Sequence, residues 1–193
     1  MLNCIYTRKL RQNCEKSNLK FQVTVRKNLV LLGMMGVGKT TLGKIVAKKQ
    51  DLRFIDTDLC VEEKWSMEIS EIFKIKGEKF FREEEEKEVL KSLSKSNCVI
   101  ALGGGAFINK VVRNSVLKNS VSIWLSQNLG MLYKRAKWNK KRPLLKEVNM
   151  KNKIKEIYNK RKDIYKLADH KINCDNLSKE NIVKKIINIY EKY

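Results

Sequence analysis

Leu31-Leu32-Gly33-Met34-Met35-Gly36-Val37-Gly38-Lys39-Thr40 decides the fold of this chain. The stretch reads as a G-x-x-x-x-G-K-[ST] phosphate-binding loop. Apolar Leu29-Val30-Leu31-Leu32 precedes it, and Thr41 to Lys49 follows it with Leu42, Ile45 and Val46 on one helical face. Glycines let the backbone curl so that successive N–H groups point at phosphate oxygens, where a Cβ would block the curl or the approach. Gly36, Val37, Gly38, Lys39, Thr40 and Thr41 are therefore the candidate nucleotide-binding residues. Lys39 places its charge on the outer phosphates, the Thr40 hydroxyl is set to bind Mg²⁺, and the helix N-terminus adds the positive end of its dipole. Strand, loop and helix in the required order make a chance glycine turn a poor account. A nucleoside triphosphate site is the reading.

At 193 residues the chain suits one well-buried domain. Hydrophobic residues at 42% and charged residues at 33% describe a globular protein, and no apolar run approaches the roughly 18 residues of a membrane span. Five cysteines, widely spaced and without a C-x-x-C pair, argue against a disulfide framework and a zinc site and fit a reducing cytosol. The net charge of +21 raises nucleic-acid binding as an idea. Yet the excess is mostly lysine scattered through an Asn- and Ile-rich, Pro-poor chain, with no module that reads RNA or DNA. A specific nucleic-acid partner is not expected, only salt-sensitive sticking to polyanions.

Residues 1–27 form a basic extension whose single acid is Glu15; it lacks the apolar core of a secretory signal. It reads as a ragged, disordered segment before the domain at 28–193, with organellar import by it left open against a cytoplasmic default. After the loop helix, Leu52 to Asp56 reads as a strand and Asp58 to about Lys76 as helix, interrupted near Ser66. A charged helix runs from Gly77 to about Lys95, where Glu83-Glu84-Glu85-Glu86 reads as a solvated face. Cys98 to Leu102 and Val121 to Leu125 are continuous apolar runs suited to strands covered on both faces. Residues 137–146 hold the only proline, Pro143, and read as a loop. Lys151 to Ala168 is helical by period, His170 to Cys174 a last strand, and Ser178 caps a helix through Tyr190. The alternation predicts a three-layer α/β domain with a parallel sheet.

Where the phosphate goes depends on the remaining motifs. Asp56-Thr57-Asp58 follows the second strand, at the carboxyl edge beside the phosphate loop. One carboxylate there can reach the Mg²⁺ shell while the other takes a proton from an acceptor hydroxyl; a helix cap is the plainer alternative. Gly103-Gly104-Gly105 ends a buried strand, so a ligand can approach bare backbone closely, or the run is merely a flexible turn. Arg142-Pro143 puts a cation in a segment able to serve as a lid.

In this order the motifs resemble shikimate kinase, a small P-loop kinase with a nucleoside-monophosphate-kinase-like fold. The matching pieces are the phosphate loop, Asp56-Thr57-Asp58, Ile72-Phe73, Gly77-Glu78 with Phe81-Arg82, Gly103-Gly104-Gly105 and Arg142-Pro143-Leu144-Leu145. They span about Asn28 to Tyr190. The resemblance implies a five-stranded parallel sheet in the order 2-3-1-4-5 with a mobile lid at about 137–148. It implies ATP- and Mg²⁺-dependent phosphorylation of the shikimate 3-hydroxyl, in aromatic amino-acid biosynthesis, by a cytoplasmic monomer with no membrane partner. By the same resemblance Asp58 binds the ring hydroxyls and accepts the proton, and Thr40 and Asp56 hold the metal. Arg82 and Arg161 bind the substrate carboxylate; Gly103, Gly104, Gly105, Phe73 and Phe81 line the ring. Lys39 and Arg142 stabilise the transferring phosphoryl group, and Arg135 stacks on adenine. The lysine-rich Trp138-Asn139-Lys140-Lys141 before Arg142 departs from the pattern. A gluconate- or nucleoside-monophosphate-type kinase, a P-loop switch on nucleic acid and an inactive scaffold remain alternatives. An acceptor screen, salt-resistant polyanion binding and loss of productive ATP binding separate them.

Overall fold

The computed structural model describes residues 26–137 and 149–193. Strand β1 (Asn28–Leu32) leads through the phosphate loop into α1 (Lys39–Lys49) and β2 (Arg53–Asp56). Three helices follow: α2 (Thr57–Trp65), α3 (Ile69–Ile75) and α4 (Gly77–Leu93). Then come β3 (Cys98–Ala101), a 3₁₀ turn at Ala106–Ile108, α5 (Lys110–Asn119), β4 (Ser120–Ser126) and α6 (Leu129–Lys137). The chain closes with α7 (Met150–Tyr165), β5 (His170–Asn173) and α8 (Lys179–Tyr190). The five strands pair in parallel in the order β2-β3-β1-β4-β5, with helices on both faces. The N-terminal extension and nearly all of the expected lid, Arg142 included, lie outside the described residues.

The continuous apolar runs do what both-face burial requires. Every residue of β1, β3 and the first six of β4 is buried, and Cys98 is an inert small core residue among them. At the amino edge Asn28 extends β1 by one polar residue. Its amide donates to the Leu93 and Lys95 carbonyls (3.2 and 2.6 Å) and accepts from Cys98 N–H (3.0 Å), so the burial carries no unpaired group. Ser178 caps α8 through Asn181 N–H, as its position in the sequence suggests. β1 runs between β3 and β4, so the loops after β1, β2 and β3 meet at one carboxyl edge, where open parallel sheets bind ligands.

Helices α2 to α4 carry a small core of their own, built on Val61, Ile72 and Phe81. The break between α2 and α3 falls at Ser66, which takes a left-handed conformation (φ 49°). The expectation of a solvated Glu83–Glu86 face fails at its centre. Glu84 and Glu85 are 4% and 3% exposed, Glu86 is half-buried, and of the four only Glu83 is exposed. Two adjacent positions on a helix point about 100° apart, so one faces the cleft and the other faces α2. Glu84 takes Lys64 Nζ at 2.7 Å, Lys87 Nζ at 2.7 Å and the Trp65 indole N–H at 3.1 Å. Glu88, one turn on, takes Lys64 at 3.2 Å. A helix facing a neighbour can bury acids when that neighbour supplies cations, which sequence charge counting does not register.

These hydrogen bonds from Lys64 and then Lys87 hold the Glu84 carboxyl down at about 2. A depressed folded value means the stabilisation is present above the ordinary glutamate range and is lost as pH falls from there towards 2. The lysines are exposed and screened, so the pair of helices gains only about 1 kcal/mol from the carboxylate. Glu84→Gln should therefore lower unfolding free energy by about 1 kcal/mol at pH 7 and cost nothing near pH 2. Urea unfolding at the two pH values checks it; an equal deficit at both would show that ionisation of Glu84 is irrelevant.

Candidate active site

The phosphate loop needs its glycines. Gly33, Gly36 and Gly38 have φ of 138°, 80° and 104°, values that L side chains avoid. Lys39 bends back over the loop and donates to the carbonyls of Gly33 (2.9 Å) and Met34 (3.2 Å), which holds its ammonium at the loop mouth. Arg135 from α6 donates to the carbonyls of Gly36 (3.3 Å) and Val37 (3.2 Å) on the loop's outer side. The Val37 side chain itself is core, so only its backbone can serve a nucleotide.

Asp56 fulfils two roles at once. Oδ1 caps α2 by accepting from Asp58 N–H (3.1 Å) and Leu59 N–H (3.4 Å), while Oδ2 accepts from the Thr40 hydroxyl at 2.6 Å. The cap alternative and the metal alternative are thus compatible. A carboxylate and a hydroxyl joined directly at the end of the phosphate loop are hard oxygen donors of the kind Mg²⁺ takes, so the residues fit that ion.

The three glycines after β3 are surrounded by charged side chains. A Cβ on Gly103 would collide with Asp58 Oδ1 and Glu85 Oε1, and one on Gly105 would lie 2.6 Å from Arg82 Nη1. Gly104 accepts from Arg161 Nη1 at 2.8 Å, and Tyr165 Oη donates to the same carbonyl. The Gly103 N–H is already taken by the Thr57 hydroxyl at 3.0 Å. The bare backbone is thus used first for close approach of the protein's own groups. Gly104 and Gly105 reach the cleft surface, and Gly103 lies beneath Asp58 and Glu85.

One cleft of about 580 Å³ gathers the rest. Lys39, Thr40, Asp56 and Arg135 line its phosphate end, and Asp58, Arg82, Arg161 and Phe73 its other end. Phe81 is almost wholly buried beneath that end, with the Arg82 guanidinium 5.2 Å from its ring centre. Arg82 is already paired: Nη1 with Glu85 at 2.8 Å, Nη2 with Glu78 at 3.0 Å. Glu85, with its side chain 4% exposed, is among the cleft residues that motif reading misses, as is Glu62. For Glu85 the spacing of three from Arg82 on one helix was the available signal. Burial pushes the Glu85 carboxyl up from the usual range, and the Arg82 and Arg161 guanidiniums only partly oppose that. Burial likewise pushes the Tyr165 phenol up, which keeps it a hydrogen-bond donor.

A phosphate cradle and a two-arginine, two-carboxylate pocket in one cleft can hold a triphosphate against a small hydroxylated acid. The model of the shikimate kinase family matches residues 35–191. The chain belongs to the shikimate kinase family. A shikimate kinase of a Sulfurihydrogenibium species is 40% identical over 161 residues, covering 83% of this chain and 96% of that one. The Thermodesulfovibrio yellowstonii shikimate kinase is 40% identical over 166 residues, covering 86% and 96%. Among solved structures, Acinetobacter baumannii shikimate kinase in complex with shikimate superposes with a TM-score of 0.83 at 28% identity, covering 86% of this chain and 94% of that one. The family's sheet order is the one described above. Arg142 lies outside the described residues; Lys39, Thr40, Asp56, Asp58, Phe73, Arg82, Arg135 and Arg161 line the cleft, and Phe81 and Gly103 lie directly beneath it.

Proposed function

We propose that the chain transfers the γ-phosphoryl group of ATP to the 3-hydroxyl of shikimate, giving shikimate 3-phosphate and ADP. The observation that carries the reading is the convergence of Asp58, Arg82 and Arg161 at the far end of the phosphate-loop cleft. The phosphate-loop N–H groups and Lys39 bind the triphosphate, and Arg135 flanks the loop where a base can stack on it. Thr40 and Asp56 hold Mg²⁺, which neutralises phosphate charge when bound. Arg82 and Arg161 clamp the substrate carboxylate and so fix which hydroxyl faces the nucleotide. Asp58 orients that hydroxyl and accepts its proton as transfer proceeds. Arg142 closes over the phosphates from the lid, in the proposed domain of residues 28–193. The enzyme acts as a cytoplasmic monomer on a small molecule, without nucleic acid; among the described residues no helix is long and apolar enough to cross a membrane.

ADP release from Mg-ATP is expected with shikimate and not with gluconate or nucleoside monophosphates. Release with another acceptor and none with shikimate would overturn the substrate assignment and leave only the phosphate-loop argument. Arg82→Lys sharpens the test. Lysine keeps the charge and loses the planar fork, so KM for shikimate should rise about 10- to 100-fold with KM for ATP unchanged. Steady-state kinetics with each substrate varied in turn checks it; an unchanged shikimate KM would remove Arg82 from the carboxylate site.

A further inference from the structure

Glu85 is a carboxylate in the wrong place for a site that binds an acid. Its Oε2 accepts from Arg82 Nη1 at 2.8 Å, the guanidinium assigned to the substrate carboxylate, while Oε1 sits against Gly103 beside Asp58 Oδ1. Around it stand Arg82 and Glu78 on α4, Arg161 and Tyr165 on α7, and Asp58 on α2. Glu78 and Glu85 thus already share Arg82, with Arg161 beside Glu85, before any substrate arrives, and the substrate adds another negative group. Glu78, with its side chain 60% exposed, can shed its excess charge into water; Glu85, at 4%, cannot. We propose that shikimate binding is coupled to proton uptake by Glu85. Arg82 turns its fork from Glu85 to the incoming carboxylate, and a proton from solvent replaces it as the counter-charge on Glu85. One carboxylate enters and one proton enters, so the buried charge of the pocket is unchanged.

Burial already raises the affinity of Glu85 for a proton, which places its titration closer to working pH than that of an exposed glutamate. The single histidine, His170, lies on β5 bonded to Tyr193 at 2.8 Å, away from the cleft. The inference rests on the shikimate-binding reading above and adds to it the ionic form of the complex.

Calorimetric titration of the full chain with shikimate at pH 7, in buffers of different ionisation enthalpy, reads the protons taken up. Net uptake is expected for the natural protein, and none for Glu85→Gln or when shikimate methyl ester replaces shikimate. Uptake on binding also means that affinity weakens as pH rises, by up to about tenfold per unit between the Glu85 values of the free and bound forms. Shikimate binding without buffer-dependent heat and with a pH-independent Kd overturns the inference, as does undiminished uptake in Glu85→Gln. Should that variant not fold, the pH dependence of the natural protein and the methyl ester decide alone. Failure to bind shikimate at all would instead overturn the substrate reading beneath it.

Discussion

Asp58→Asn is expected to retain ATP binding and lose phosphoryl transfer, with kcat reduced by about 10²- to 10⁴-fold. The change removes one negative charge and one proton acceptor while keeping the shape that lies against Gly103. Asp56, two residues earlier, keeps its contact with Thr40 and its cap on α2, so the phosphate-loop end of the cleft is undisturbed. A loss of about 3 to 5 kcal/mol of transition-state stabilisation should therefore appear in kcat with KM for ATP nearly unchanged. Single-turnover transfer together with nucleotide titration separates the two effects. Normal turnover in the variant would take Asp58 out of the chemistry. Loss of ATP affinity would show that it works instead through the nucleotide end.

The fold was legible because its signals are local. The phosphate loop, the continuous apolar runs and the Ser178 cap each follow from neighbours in sequence, and the sheet order followed from the family resemblance. The candidate site was readable as a set of motifs, and Lys39, Asp58, Arg82 and Arg161 line one cleft. What sequence could not supply was the partner of each charge. Glu84 and Glu85 look identical in a run of four acids, yet one closes on Lys64 and Trp65 and the other on Arg82. Their difference is set by which helix lies across α4 at each angle, a tertiary fact. The three glycines show the same limit. Their bare backbone suggested close approach of a ligand, and the groups that approach Gly103 and Gly105 are the chain's own Asp58, Glu85 and Arg82.

That distinction makes Gly103→Ala the sharper test of how the pocket is built. None of the three glycines has a positive φ, so an alanine introduces a methyl group and no backbone strain. At Gly103 that methyl lands on Asp58 Oδ1 and Glu85 Oε1 together. Both atoms are the ends of side chains, so Asp58 and Glu85 must rotate away from the methyl, and Glu85 does so at the expense of its pairing with Arg82. At Gly104 the nearest atoms are Met35 N at 3.5 Å and Arg161 Nη1 at 3.6 Å, ordinary contact distances. Gly103→Ala should cost about 1–3 kcal/mol of stability as overpacking and at least about 100-fold in kcat/KM, because a misplacement near 1 Å at the reacting group has that effect. Gly104→Ala should lose less than about tenfold. Thermal unfolding and shikimate kinetics on the two variants make the comparison. Equal losses would mean that the loop matters as a ligand surface, with its N–H groups exposed to substrate. A selective loss at Gly103 would mean that the run of glycine exists chiefly to let Asp58 and Glu85 sit against the sheet edge.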